Sequence, residues 1–268
     1  MIPTLKIVQV SDIHFGGEHR EAVEAAVEVI SQARPDLVIG SGDMTRDGVR
    51  SEFDAAQAWF ARLPQPQLST PGNHDTPFRG PVEIAARLIT PWRRFERALG
   101  PADGAMWSNP RAQVVALNTA RSVQIRWNWS KGAVAAGQIR RAASTLAQAA
   151  PDKLKVVVCH HPLIEMIGGP MTAKVRGGTR AAQAFAEAGA DLVLTGHIHA
   201  PFVHPYPFGD GCTQAVGAGT LSIRERGVPP SFNIIEADDC DIRITAMAFE
   251  RTGFVVWRTW NLTRRRCA

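Results

Sequence analysis

Five short polar clusters hold the residue types from which a catalytic site can be built. They are Ser11-Asp12-Ile13-His14, Ser41-Gly42-Asp43, Pro71-Gly72-Asn73-His74-Asp75, His160-His161-Pro162 and Gly196-His197-Ile198-His199. Carboxylates, imidazoles and an amide are oxygen and nitrogen donors suited to Mn, Fe, Zn or Co and poorly suited to soft copper. Seven donors of this kind are too many for one tetrahedral ion but fit two ions that share a carboxylate. Two cations about 3.5–4 Å apart can clamp the attacking and leaving oxygens of an in-line displacement at phosphorus. The glycines at 42, 72 and 196 allow a sharp turn or a close backbone approach beside such a centre. The four cysteines (Cys159, Cys212, Cys240, Cys267) form no CxxC pair, so neither a thiolate zinc site nor a disulfide framework is expected.

The clusters share a place in the chain. Each follows a short apolar run that reads as a strand: Leu5–Val10, 36–40, Gln67–Thr70, 155–159 and 191–195. Open α/β sheets bind ligands at these carboxyl ends. Between the strands, apolar residues at helical spacing predict helices over 18–33, 52–63, 135–149 and 179–188. Pro35 ends the first of these, and Pro91 divides a helical stretch over 81–99. A further strand is read at 113–117. After His199 the helical period vanishes, and strands are read at 213–216, 231–236, 242–249 and 254–260. Alternating β and α followed by a β meander predicts an α/β chain with more than one sheet.

The ordered set DxH, GD, GNHD, HHP and GHxH resembles the calcineurin-like metallophosphoesterases, and in layout the bacterial class III cyclic-nucleotide phosphodiesterases. The motifs run from Asp12 to His199. The resemblance implies a four-layer α/β/β/α sandwich with two mixed β-sheets. It implies one domain over 1–268, with residues 1–200 bearing the metal ligands and 201–268 a β-rich completion of the second sheet. It further implies a dinuclear centre of divalent or trivalent ions, with Asp12, His14 and His199 on the first, Asn73, His160 and His197 on the second, and Asp43 bridging. His74 is then the proton donor to the leaving group, or a stabiliser of its charge, and Asp75 orients that imidazole. The implied activity is hydrolysis of a small-molecule phosphodiester, of cyclic-nucleotide or glycerophosphodiester type. Nucleotide-linked lipid pyrophosphates and phosphomonoesters are the alternatives, and a scaffold without activity is disfavoured because every ligand is present. The motifs themselves contain no Lys or Arg to receive a monoester's additional charge, which favours diesters. A homodimer is suggested by the resemblance alone.

Composition sets the remaining bounds. The chain has 268 residues, 45% hydrophobic and 21% charged, which is globular composition and excludes disorder. No apolar run reaches the length of a transmembrane helix and the N-terminus lacks a signal-peptide pattern, so a cytoplasmic protein is expected. A net charge of +5 favours anionic partners, yet no nucleic-acid-binding motif accompanies it. His161 either supports a ligand or is fixed by Pro162, while His19 and His204 read as surface or loop residues. Cys159 points to the core. Arg126, Trp127 and Trp129 either stack a nucleobase or rest against lipid, or else cap a hydrophobic cluster or sit in a dimer contact. Trp257 and Trp260 read as core or interface.

Overall fold

The structure is a computed structural model that describes residues 4–123, 130–165 and 175–267. The elements run β1 (Leu5–Val10), α1 (Arg20–Ala33), β2 (Leu37–Ser41), α2 (Arg50–Phe60), β3 (Gln67–Thr70), α3 (Pro81–Ile89), α4 (Arg93–Leu99), β4 (Met106–Ser108) and β5 (Ala112–Leu117). There follow α5 (Ala136–Gln148), β6 (Leu154–Cys159), α6 (Gly178–Glu187), β7 (Leu192–Thr195), β8 (Phe202–Pro205), β9 (Gln214–Gly217), β10 (Ser231–Ala237), β11 (Asp241–Glu250) and β12 (Gly253–Thr263).

Two six-stranded mixed sheets form, in the orders β12-β11-β10-β1-β2-β3 and β4-β5-β6-β7-β9-β8. The strands that carry the polar clusters are parallel within each sheet, so their carboxyl ends emerge on one side. Side chains alternate across each strand, and here both faces are buried. Ile7, Leu37 and Ile39 of the first sheet meet Val114, Val156 and Leu192 of the second. On the outer faces Val8 and Val38 pack under Val23, Ile30 and Trp59 of α1 and α2, and Val157 and Val193 under Leu146 and Phe185 of α5 and α6. Helix, sheet, sheet, helix is the expected four-layer order. Burial on both faces is why these strands read as nearly unbroken apolar runs.

Polar ties set how the sheets sit at their carboxyl ends. The fully buried Gln9 amide donates to Ser41 Oγ at 3.0 Å and across the layer to Thr195 O at 2.9 Å. Thr70 Oγ1 donates to Leu117 O at 2.8 Å, and Asn233 Nδ2 to Gly217 O at 3.0 Å.

Three expectations are corrected. Strands β8 and β9 do complete the second sheet, but β10, β11 and β12 join the first, with β10 antiparallel to β1. The physical reason is pairing: the free edge of β1 lies in the first sheet, and the alternating pattern of a strand does not name its partner. Strands β4 and β8 were not expected; both are short, half-exposed antiparallel edges. Cys240 and Cys267 form a disulfide, because the β11–β12 hairpin returns the chain end beside the β10–β11 turn. Pro91 divides α3 from α4 as expected, and α1 starts at His19, whose ring accepts from Ala22 N. Among the described residues, no helix is long and apolar enough to cross a membrane.

Candidate metal centre

The five strand ends meet in one place, and the backbone there is bent to make them meet. Asp12 (φ 52°), His14 (52°), Asp43 (52°), His197 (69°) and His199 (61°) all take the left-handed conformation. Side-chain-bearing residues rarely do so, and such strain persists only where surrounding contacts impose it. Here Asp12 N donates to Gly42 O, His14 N to Asp43 O and Gly196 N to His160 O, so each turn is pinned by its neighbour. The approach is too close for a side chain at two glycines. A Cβ on Gly72 would fall on Asp43 Oδ1, and one on Gly196 on Ser11 Oγ and Asp12 Oδ2.

Asp12, His14, Asp43, His160, His197 and His199 are all buried at this junction, and Asn73 is half-buried beside them. Asp12 spends Oδ2 on Ser11 Oγ (2.6 Å) and His197 N (2.9 Å), leaving Oδ1 3.1 Å from His199 Nε2. Asp43 Oδ1 accepts from His74 N at 2.7 Å, while Oδ2 stands 3.9 Å from His14 Nε2 and 3.3 Å from His160 Nε2. Asp43 thus faces both flanks of the cluster.

The hydrogen bonds around the rings show what kind of group these residues fit. A carbonyl accepts only, so each ring nitrogen beside one carries the hydrogen. His14 Nδ1 donates to Thr45 O (3.3 Å), His199 Nδ1 to Arg224 O (2.8 Å) and His160 Nδ1 to Ser41 O (3.0 Å). Their Nε2 lone pairs therefore converge on one another and on carboxylates: His14 Nε2 lies 3.4 Å from His199 Nε2. Asp12 Oδ1, Asn73 Oδ1, His160 Nε2 and His197 Nε2 are buried and carry no hydrogen bond. Acceptors facing acceptors in a buried space fit cations. Donor atoms of Asp12, His14 and His199, of Asp12, Asp43 and His160, and of His160, His161 and His197 lie within 4.8 Å of one another.

Electrostatics agree. Burial opposes charge on Asp12 and Asp43, yet the histidines beside them hold both carboxyls below the usual range. Burial depresses His14 to about 4 against the pull of Asp43 and Asp12, and burial together with the neighbouring His160 depresses His197 to about 3, which leaves both rings neutral and able to ligate at neutral pH. His160 goes the other way: burial is outweighed by Asp43 and Asp12, which raise it to about 9.

The residues around the cluster depart from expectation in two ways. Asp75 does not orient His74. The turn aims its carboxylate back under the loop, where Gly72 N (2.9 Å), Thr45 N (2.9 Å), Met44 N (3.3 Å) and Thr45 Oγ1 (2.8 Å) donate to it. Burial and the adjacent Asp43 push it up to about 6. The His74 ring is held instead by Arg46 O on Nδ1 (2.6 Å), which leaves Nε2 to accept from Arg224 Nη1 at 3.1 Å. Arg224, in the loop after β9, has no motif around it and no sequence signal. His161 is tied on both sides: Nε2 donates to Ser130 O (2.7 Å), and Nδ1 pairs with Thr119 Oγ1 (2.8 Å). Both nitrogens are occupied while its ring touches those of His160 and His197. His19 caps α1 and packs on Phe249, His204 is exposed on β8, and Cys159 is buried with its thiol pushed up to about 12 by burial. Trp260 packs at the edge of the central layer and Trp257 is partly exposed on β12. Arg126, Trp127 and Trp129 lie outside the described residues.

Comparison with known proteins gives the family. A Synechococcus sp. protein named "Probable cyclic nucleotide phosphodiesterase" is 25% identical over 252 residues, 88% of each chain. A dimetal phosphatase from Danio rerio superposes with TM-score 0.70 at 11% identity, over 97% of this chain and 99% of that one. The purple acid phosphatase PPD1 of yellow lupin seeds gives 0.71 at 12% identity, over 100% of this chain; this chain spans 55% of the lupin protein. At these identities the two structures establish the fold. The model of the calcineurin-like phosphoesterases matches residues 5–201, from the first strand through the last histidine pair, and the chain belongs to that family of phosphoester hydrolases.

Proposed function

We propose that the chain is a dinuclear metal-dependent phosphodiesterase. The observation that carries this reading is the set of four buried donor atoms without hydrogen bonds, on Asp12, Asn73, His160 and His197, inside a ring of apposed lone pairs. Asp12, His14 and His199 would hold one ion, Asn73, His160 and His197 the other, and Asp43 would be shared by both. When bound, the two cations supply charge to the phosphoryl oxygens and make water a nucleophile at neutral pH. The chain's own residues do the rest. His161 holds the His160 and His197 rings from behind. Asp75 fixes the loop that carries Asp43. His74 presents Nε2 outward beside Arg224, and must carry both ring protons to deliver one to a leaving-group oxygen.

The diester preference is supported by the Synechococcus relative's name, which speaks of a cyclic nucleotide phosphodiesterase. The absence of a cation from the motifs no longer supports it, because Arg224 brings a guanidinium to His74 from outside them. That contact favours a second reading, a monoesterase in which Arg224 meets the additional charge. The proposed acting unit is the whole chain, cytoplasmic by expectation, although the Cys240–Cys267 bond favours an oxidising compartment.

The test combines elemental analysis with a matched pair of aryl esters. Wild type is expected to carry two ions per chain and to turn over the diester with the higher kcat/KM. Asp43→Asn is expected to lose at least one ion together with turnover. Two ions and undiminished turnover in that variant would overturn the dinuclear assignment, and a monoester preference in wild type would select the second reading.

A further inference from the structure

Helix α3 is built inside out. In α1, α2, α5 and α6 the buried side chains are mostly apolar, as in any helix that lies on a sheet. In α3 the one buried residue is Arg87. Its Nε donates to Ser122 O, and Glu83, on the same side of the helix, pairs with Arg94 Nη1 and Nη2. The apolar arc faces solvent instead, with Val82 77%, Ile84 50%, Leu88 61% and Ile89 78% exposed. Exposed apolar surface that is this contiguous marks a binding face.

Position tells what binds. Ile84 and Leu88 line a cavity of about 390 Å³ with Phe78 and Val123; Asn73 and His74 line it too, as do Arg87, Ser122 and Ser130. The volume is that of a small-molecule site. Whatever fills it must offer a phosphoryl group to the metal-facing residues and an apolar body to aliphatic walls. The apolar arc continues past the cavity through Val82 and Ile89 along a helix ~13 Å long. An extended chain matches that strip better than a compact base with polar edges.

Resting on the proposed phosphoesterase reading, we infer that the groove between α3 and His74 receives an alkyl or acyl chain carried on the phosphoryl group of the substrate. Glu83 is paired with Arg94 and Arg87 Nε with Ser122 O; Arg87 and Ser122 reach the cavity as well, and its apolar lining comes from Phe78, Ile84, Leu88 and Val123. Ile84 and Leu88 set the specificity for that chain and take no part in the chemistry.

The test is binding of methyl-, butyl- and octylphosphonic acid, measured by calorimetry below micellar concentrations, on metal-free and metal-loaded protein. Each methylene that leaves water tightens binding about fourfold, so burial of as few as three of the seven additional carbons makes octylphosphonic acid bind about sixtyfold more tightly than methylphosphonic acid. Ile84→Ser combined with Leu88→Ser, at exposed positions, should flatten that dependence and leave methylphosphonic acid binding unchanged. Equal affinity for the three probes, or an unaltered chain-length dependence in the double variant, overturns the inference. If the three probes bind alike while the protein sediments as a dimer that Leu88→Glu dissociates, the face joins two copies of this chain. If they bind alike while the protein co-sediments with phosphatidylcholine vesicles, it meets a membrane. Failure of the two readings is separable. Hydrolysis of diesters without chain-length dependence removes the groove and keeps the enzyme, whereas chain-length-dependent binding without hydrolysis does the reverse.

Discussion

His74 and Asp75 are adjacent in sequence and do different work, and substitution should separate them. In the proposed reading the His74 ring is not a ligand: its Nδ1 donates to Arg46 O and its Nε2 faces Arg224. His74→Ala is therefore expected to keep its metal and to lose about 10²–10⁴ in rate, more for alkyl than for aryl leaving groups; loss of metal would make it a ligand. Asp75 gathers four donors beneath the Asp43 loop. Asp75→Asn should weaken metal retention and lower Tm, with no dependence on the leaving group. Arg224→Gln should reduce kcat/KM on a monoester by about 10- to 100-fold, the worth of a hydrogen bond to a charged group, and reduce it less on a diester. His160 gives a pH signature. Its metal-free value of about 9 lies above the ordinary 6.5. The stability it contributes is thus full below 6.5 and is lost as pH rises through 9. Denaturation of metal-free protein should show that decline between those limits, and loaded protein should not. The candidate ligands were legible because each sits directly after an apolar run. Arg224 was not, since only the folded loop after β9 brings it to His74, and neither was the aim of the Asp75 carboxylate, which the turn decides.

Elements were legible to the extent that their own residues specify them. Strand β1 and the division of α3 from α4 follow from local pattern and from Pro91. Partner choice does not, which is why neither the place of β10 to β12 in the first sheet nor the Cys240–Cys267 bond follows from local pattern. The bond closes a 27-residue separation around the β11–β12 hairpin, and loops of that size gain about 3 kcal/mol from closure. Cys240→Ser is expected to lower Tm by several degrees while metal content and turnover stay unchanged. Among the free thiols, Cys212 should alkylate in the native protein and Cys159 only after unfolding, because the latter is fully buried in the layer beneath α5 and α6.

Across the whole molecule the candidate centre lies on a seam. Asp12, Asp43 and Asn73 descend from the first sheet, and His160, His197 and His199 from the second. Ions held by both sheets bind the folded state alone, so loading should raise Tm in step with free metal, about 4 kcal/mol at a thousandfold excess over Kd, and a chelator should reverse it. The apolar layer between the sheets, to which Val156 contributes from one side and Leu37 and Ile39 from the other, consequently acts as a ruler. Its thickness fixes how far apart the two sets of ligands stand, and hence the gap that a phosphoryl group has to bridge. A cavity opened in that layer, as by Val156→Ala, would reach the chemistry as a change of spacing, without touching a single residue that meets the substrate.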